Sequence, residues 1–359
     1  MFQQSKAGKT QPEKIAAGNK NQTRRITMNR QIFQYHPVVG YQFVPGIKAR
    51  LDHETGGYLM RTNQAGFRCR HEFVKERREG VSRVLLFGDS YTAGDGVSDK
   101  YRYSELLEKL IPGIEVYNFG LSGSGTDQQY LIWREFARDI EHDVVVISVL
   151  VENIRRVVVR YRPFQTQEGE TRMVPKPYFT LAANGKLSLH HVPVPQECPA
   201  EKADGAADKG GRFPWLRQQV NRMGPKVKDV LQALSGYQPV PGFDRADHPD
   251  WRLLEAILLR WVAELDKNVV IFPIPLYQHV EENASATAYQ ARFASLAAPP
   301  RVLVHDPLSD MQRVPLAERR GYRFQKDCHP TPSAHEVLAK SLARCIGPML
   351  NKSQTFPLI

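Results

Sequence analysis

Two stretches decide how this chain folds: "VSRVLLFGDS", residues 81–90, and "DVVVISVLV", residues 143–151. Each contains a continuous apolar run rather than an alternating one, the pattern of a strand buried on both faces of a parallel sheet. Working outward, "YSELLEKLI" (103–111) spaces its apolar residues for one face of a helix. "IEVYNFG" (114–120) reads as a further strand and "TDQQYLIWREFARDI" (126–140) as a further helix. Strands return in "NVVIFPIPLY" (268–277) and "RVLVHDPL" (301–308). The last helix is expected in "PSAHEVLAKSLARCIG" (332–347), with Thr331 as N-cap, Pro332 in the first turn and Gly347 as the stop. Alternation of strand and helix at this spacing predicts an α/β fold, a doubly wound, mainly parallel sheet flanked by helices.

Two segments interrupt that rhythm. Residues 31–80 mix short apolar runs with Gly, Pro and Asn, which predicts a β-rich lead-in. Residues 160–250 read as an insertion within an α/β domain spanning 81–350. The insertion contains a hairpin about Asn184-Gly185, a pair suited to a type I′ turn. It continues in a polar loop, "QECPAEKADGAADKGGR" (196–212), and helices are expected near 214–235 and 250–266.

The formal charge of +11 over 359 residues raises the question of a nucleic-acid partner. Its distribution argues against one. The first 30 residues hold seven Lys or Arg against the single acid Glu13, so +6 of the +11 sits in a segment without apolar periodicity. A solvated tail is expected, with at most weak contact to acidic surfaces. No run of 18 apolar residues predicts a transmembrane helix, and the first residues lack the apolar stretch of a secretory signal. Four cysteines without CxxC spacing point to reduced thiols and a cytoplasmic protein. Neither a metal nor an organic cofactor is expected. His190 and His191 are adjacent in a strand-like stretch and face opposite sides, and no Walker A, dinucleotide-glycine or GxSxG pattern occurs.

Ser90 lies just past the carboxyl end of its strand, where open α/β sheets bind ligands. A serine hydroxyl becomes a nucleophile when a base takes its proton. "KDCHPTPSAH" (326–335) supplies that base in His329, with Asp327 two residues earlier to fix the imidazole tautomer. Asp306 and Asp310 are the alternative orienting acids. Donors for an oxyanion are available from the glycines of "YNFGLSGSGTDQQ" (117–129), Gly120 or Gly123, and from Asn153 in "LVENIRR" (150–156). Asp89 is expected to brace the turn, and Cys328 to point away from the site.

On these four blocks the chain resembles the SGNH hydrolases, also called the GDSL esterase/lipase superfamily, from about Arg83 to Leu342. The resemblance implies a flavodoxin-like three-layer domain with Ser90 as nucleophile and Asp327 and His329 as its partners. It also implies an oxyanion hole formed by Ser90, Gly123 and Asn153. The third block departs from the family's Gly-x-Asn-Asp, reading "VENI", and the last has Asp-x-His where many members have Asp-x-x-His. "TNQAGFR" (62–68) is similar to the segment before the serine strand in bacterial members tied to cell-surface polysaccharide modification. The expected function is a serine ester hydrolase acting on a small-molecule or glycan acyl ester through an acyl-enzyme. The alternatives are an O-acyltransferase working on a polysaccharide or glycolipid, and a catalytically silent binding protein of the same fold.

Overall fold

The computed structural model describes residues 32–165, 171–197 and 238–350. The expectations for the N-terminal tail, for residues 198–212 of the polar loop and for a helix near 214–235 fall outside the described residues.

The core is a five-stranded parallel sheet. Its strands are β5 (Ser82–Phe87), β6 (Ile114–Asn118), β7 (Val144–Leu150), β12 (Asn268–Ile274) and β13 (Val302–Val304), arranged β13-β12-β7-β5-β6. Every neighbouring pair is parallel. The earlier strands pair as hairpins in the lead-in, β1 (Phe33–His36) with β2 (Gly40–Phe43) and β3 (Lys48–Leu51) with β4 (Tyr58–Arg61). The insertion adds two more, β8 (Tyr161–Gln165) with β9 (Thr171–Pro175) and β10 (Tyr178–Leu181) with β11 (Leu187–His190).

All seven residues of β7 are buried, which is why that stretch carries no alternation. Each of its aliphatic side chains contributes about 1.5–3 kcal/mol on burial. Helices cover both faces of the sheet, as strand alternation shows. Phe87 is paired with Ile147, so the two share a face, and Phe87 meets Trp261 of the helix Pro249–Glu264 with ring centroids 5.1 Å apart. Ser148 therefore faces the other way, and its Oγ lies 2.9 Å from the hydroxyl of Tyr103 in α2 (Tyr103–Leu110). Arg83, the one charged residue deep in β5, is fully buried but pairs with Glu115 at 3.0 Å and donates to the carbonyls of Val74 and Glu76.

Numbering the five sheet strands by their order in the chain, they lie second-first-third-fourth-fifth across the sheet. The order reverses between β5 and β7, the point where doubly wound sheets open a crevice beyond their carboxyl ends. Ser90 follows β5 and Asn153 follows β7, so the reversal brings these two blocks side by side.

Three local expectations are corrected. The hairpin about Asn184-Gly185 exists, but Leu181 pairs with Leu187, and Ala182 N–H bonds Lys186 O at 3.0 Å. Gly185 has φ +79° while Asn184 is not left-handed, so the loop is a three-residue turn with a glycine bulge rather than a two-residue type I′ turn. The last helix runs Pro332–Leu350, past Gly347, which lacks the left-handed φ that a glycine stop requires. Thr331 stands where the N-cap was expected and its carbonyl accepts from His335 N, but its hydroxyl donates to Gly321 O at 2.7 Å instead of capping.

Candidate active site

The turn after β5 has little freedom. A Cβ on Gly88 would lie 1.9 Å from Thr92 Oγ1, so only glycine fits there. Asp89 caps α1 (Ser90–Ala93), its Oδ1 accepting from Tyr91 N–H at 3.0 Å, and Gly94 ends that helix with φ +81°. Ser90 thus occupies the first position of a single helical turn and is nearly buried. Among the described residues its Oγ has no hydrogen-bond partner.

The second block is fastened to this turn by Leu121 N–H donating to Gly88 O at 3.1 Å. Gly120 N–H is committed to Asn118 Oδ1 at 2.8 Å, and a Cβ at Gly120 would lie 2.4 Å from Ala93 N. Its glycine is therefore a packing requirement under α1. Gly123, with φ +79°, has an N–H that meets no acceptor among the described residues. Of the two glycines, Gly123 is the one with a donor to spare.

The third block follows β7. Asn153 is fully buried, and neither its Nδ2 nor its Oδ1 has a hydrogen-bond partner. Such a group costs about 1–3 kcal/mol when left unsatisfied. Three residues on, Arg156 donates to Asp89 Oδ2 at 3.0 Å and to Ser124 O at 3.2 Å, and so ties the first three blocks together. The insertion is anchored here too. Lys176 forms a buried ion pair with Asp127 and donates to Arg156 O at 3.0 Å. Burial pushes the Asp127 carboxyl up, against the pull of Lys176.

The fourth block brings Asp327 and His329 together. The turn between them passes through Cys328 at φ +60°, a left-handed conformation that costs a non-glycine residue about 1–2 kcal/mol. His329 N–H donates to Asp327 Oδ1 at 3.0 Å. His329 Nδ1 lies 3.2 Å from Asp327 Oδ2 but out of line, so the contact is an ion-pair distance without a hydrogen bond. Burial alone would raise the Asp327 carboxyl. The His329 backbone N–H, the His329 ring and His53 outweigh it and hold the carboxyl below its ordinary range. Asp306 and Asp310 are engaged elsewhere, Asp306 with Tyr289 at 2.9 Å and Asp310 with Ser341 at 2.5 Å.

This block leans on the turn that carries Ser90. Tyr91, the residue after Ser90, donates its hydroxyl to Cys328 O at 3.0 Å, and its ring centroid is 5.5 Å from that of His329. Cys328 also lines an apolar cavity with Ile274, Val280 and Leu338.

Sequence reasoning missed four residues around these blocks. Asp95 accepts from Ser122 Oγ at 2.6 Å, and burial pushes its carboxyl up against the pull of His329, Ser122 and Arg68. His53 reaches Asp327 from the lead-in at 3.0 Å. Arg156 is the tie already described, and Arg162 in β8 lies beside Gly123. "TNQAGFR" has a physical role as well: Arg68 is fully buried and bonds Gly94 O at 2.6 Å and Val97 O at 3.0 Å, bracing the loop that follows α1. His53, Glu54 and Asp327 also bring ligand atoms within 4.8 Å of one another, with both carboxylates exposed. His190 and His191 have separate partners, Thr180 Oγ1 at 2.8 Å and Lys176 O at 3.3 Å. Among the described residues no helix is long and apolar enough to cross a membrane.

No protein-family model and no curated protein matches the chain. Solved structures similar to it include a lipase/acylhydrolase from Enterococcus faecalis, 14% identical, with a TM-score of 0.40 over 77% of this chain and 100% of that one. An acetyl-xylooligosaccharide esterase from Geobacillus is 13% identical, with a TM-score of 0.40 over 78% of this chain and 100% of that one. A member of the lipolytic G-D-S-L family from Veillonella parvula is 12% identical, with a TM-score of 0.38 over 74% of this chain and 99% of that one.

Proposed function

We propose that the protein is a serine ester hydrolase that works through an acyl-enzyme at Ser90. The observation that carries this reading is the Asp327–His329 loop resting on Tyr91, because it supplies a base and its orienting acid beside a serine with a free hydroxyl. With Asp327 on the Nδ1 side of His329, Nε2 is the nitrogen left to take the Ser90 proton. Ser90 Oγ attacks the ester carbonyl carbon as its proton passes to His329. The alcohol then leaves with that proton, and water, deprotonated by His329, releases the acid and restores Ser90. The negative charge that develops on the carbonyl oxygen is met by the Ser90 and Gly123 N–H groups and by Asn153 Nδ2, none of which has another acceptor among the described residues. No step calls for a metal. The missing Ser90–His329 hydrogen bond is compatible with this scheme, since such contacts are often loose before substrate binds.

The test is hydrolysis of a small aryl acetate by the full chain, its Ser90→Ala variant and its His329→Ala variant. Both variants are expected to lose turnover to the same extent, because the two groups act as a unit. Turnover that persists in Ser90→Ala would reject the reading. Adding a glycan acceptor and weighing the products separates water from a sugar hydroxyl as the acyl acceptor.

A further inference from the structure

We infer that Arg162 binds a carboxylate of the substrate, so that this site selects esters carrying a negative charge; the inference rests on the ester-hydrolase reading of the same site. Arg162 lies on β8, the first strand of the insertion. Its guanidinium stacks on the Tyr41 ring, 3.7 Å from the centroid, and Tyr41 in turn donates its hydroxyl to Ser122 O at 2.8 Å. A Cβ on Gly123 would lie 3.1 Å from Arg162 Nη2, which puts the cation against the residue whose N–H faces the reacting carbonyl in the proposed mechanism.

Arg162 is half-buried, whereas the fully buried arginines Arg68, Arg83 and Arg102 each have a carboxylate. Arg68 pairs with Asp99 at 2.9 Å, Arg83 with Glu115 at 3.0 Å, and Arg102 with Glu105. Arg156 reaches Asp89 at 3.0 Å. Arg162 has none among the described residues, and its Nη1 is buried without any hydrogen-bond partner. Burial alone lowers its pKa to about 10, so it is still a cation at neutral pH.

Desolvating part of an unpaired cation is unfavourable. A cation–π contact returns only part of that, and the remainder favours an anion that meets the planar fork in two parallel hydrogen bonds. Tyr41 also lines a cavity of about 180 Å³ with Phe33, Tyr35 and Phe164, between the lead-in hairpin and the β8–β9 hairpin. A guanidinium stacked on an aromatic ring suits an acidic sugar or a chain with a terminal carboxylate. The charge can belong to the alcohol half of the ester or to the acyl half, and the two sources are separable.

The experiment compares kcat/KM on two matched pairs. One pair is methyl glucuronide acetate against methyl glucoside acetate, and the other is a 4-methylumbelliferyl hemisuccinate against the acetate. The wild-type chain is expected to prefer the charged member of one pair by at least about tenfold, equivalent to about 1.4 kcal/mol. Arg162→Gln should abolish that preference and Arg162→Lys keep part of it, since a lysine retains the charge but lacks the fork. The pair that responds identifies the source. No preference in either pair, or a preference that survives Arg162→Gln, would overturn the inference. Titration of methyl glucuronide and monomethyl succinate into Ser90→Ala, with and without Arg162→Gln, reads the anion site without turnover. Binding weakened at least tenfold by Arg162→Gln, in a chain that hydrolyses no ester, would sustain the anion site while rejecting the hydrolase reading. Binding indifferent to Arg162 would reject the anion site alone.

Discussion

His53 Nε2 bonds Asp327 Oδ2 at 3.0 Å, across 274 residues of chain. Asp327 therefore serves two imidazoles with one oxygen, and the contact from His53 is the better aligned. The His53 ring is fixed in turn by Phe324, 4.4 Å away between centroids, and by Thr55 Oγ1 at 3.0 Å from Nδ1. On the proposed mechanism His53 is a positioning residue: it holds the carboxylate that orients His329. His53→Ala should lower kcat about tenfold, or about 1.4 kcal/mol, with KM unchanged. His53→Gln, which keeps an N–H donor, should recover most of the loss. An equal loss in kcat for both variants would mean that His53 only packs against Phe324.

Asn153→Ala is expected to slow acyl transfer about 10²–10³-fold, the usual cost of one oxyanion donor. It should not lower the melting temperature, because the amide it removes is buried without a partner. This split between rate and stability is the diagnostic feature, read by steady-state kinetics and calorimetry on one variant. A stable variant with wild-type rate would take Asn153 out of the site.

Arg156→Ala removes the cation that neutralises a nearly inaccessible Asp89. A fully buried pair broken this way costs about 3–5 kcal/mol, and the partial exposure of Arg156 reduces that to about 2 kcal/mol. Chemical denaturation should show that loss, and activity should fall with it because the same side chain holds Ser124. Unaltered stability would contradict the role of Arg156 as the tie between blocks.

His335, fully buried beneath α2, is held neutral. Burial, aided by the Arg102 and Arg68 cations, drops its pKa from 6.5 to about 3. A folded-state pKa below the unfolded one means that the unfolded chain binds the extra proton. The stability linked to His335 is therefore complete above pH 6.5 and is lost as pH falls toward 3. At pH 5 the loss is about 2 kcal/mol. NMR of the His335 ring should show no titration between pH 7 and 4. A midpoint near 6.5 would refute the neutral, buried assignment.

Much of the fold was legible because burial on two faces leaves a mark in the sequence. The runs at Val144–Leu150 and Asn268–Ile274 fall in the central strands where no polar face is tolerated. Ser90, Asn153, Asp327 and His329 stood out because each follows a strand end or precedes a helix. Arg156, His53 and Arg162 did not, since a lone charge or imidazole has no period, and its partner lies tens to hundreds of residues away. Thr331 and Gly347 misled for a related reason. Both have the local chemistry of caps, but Gly321 O claims the threonine hydroxyl, and the glycine continues the helix. The Asn118 contact that commits Gly120 N–H is made only in the folded loop.

The central claim is that Ser90 is the nucleophile and that His329 activates it. Labelling of the full chain with a fluorophosphonate probe, with the modified peptide located by mass spectrometry, tests it most directly. The account predicts a single stoichiometric adduct on Ser90, slowed at least about 10³-fold in His329→Ala, the scale on which loss of a triad member acts. An adduct on another serine, or Ser90 labelling at an undiminished rate without His329, would contradict it.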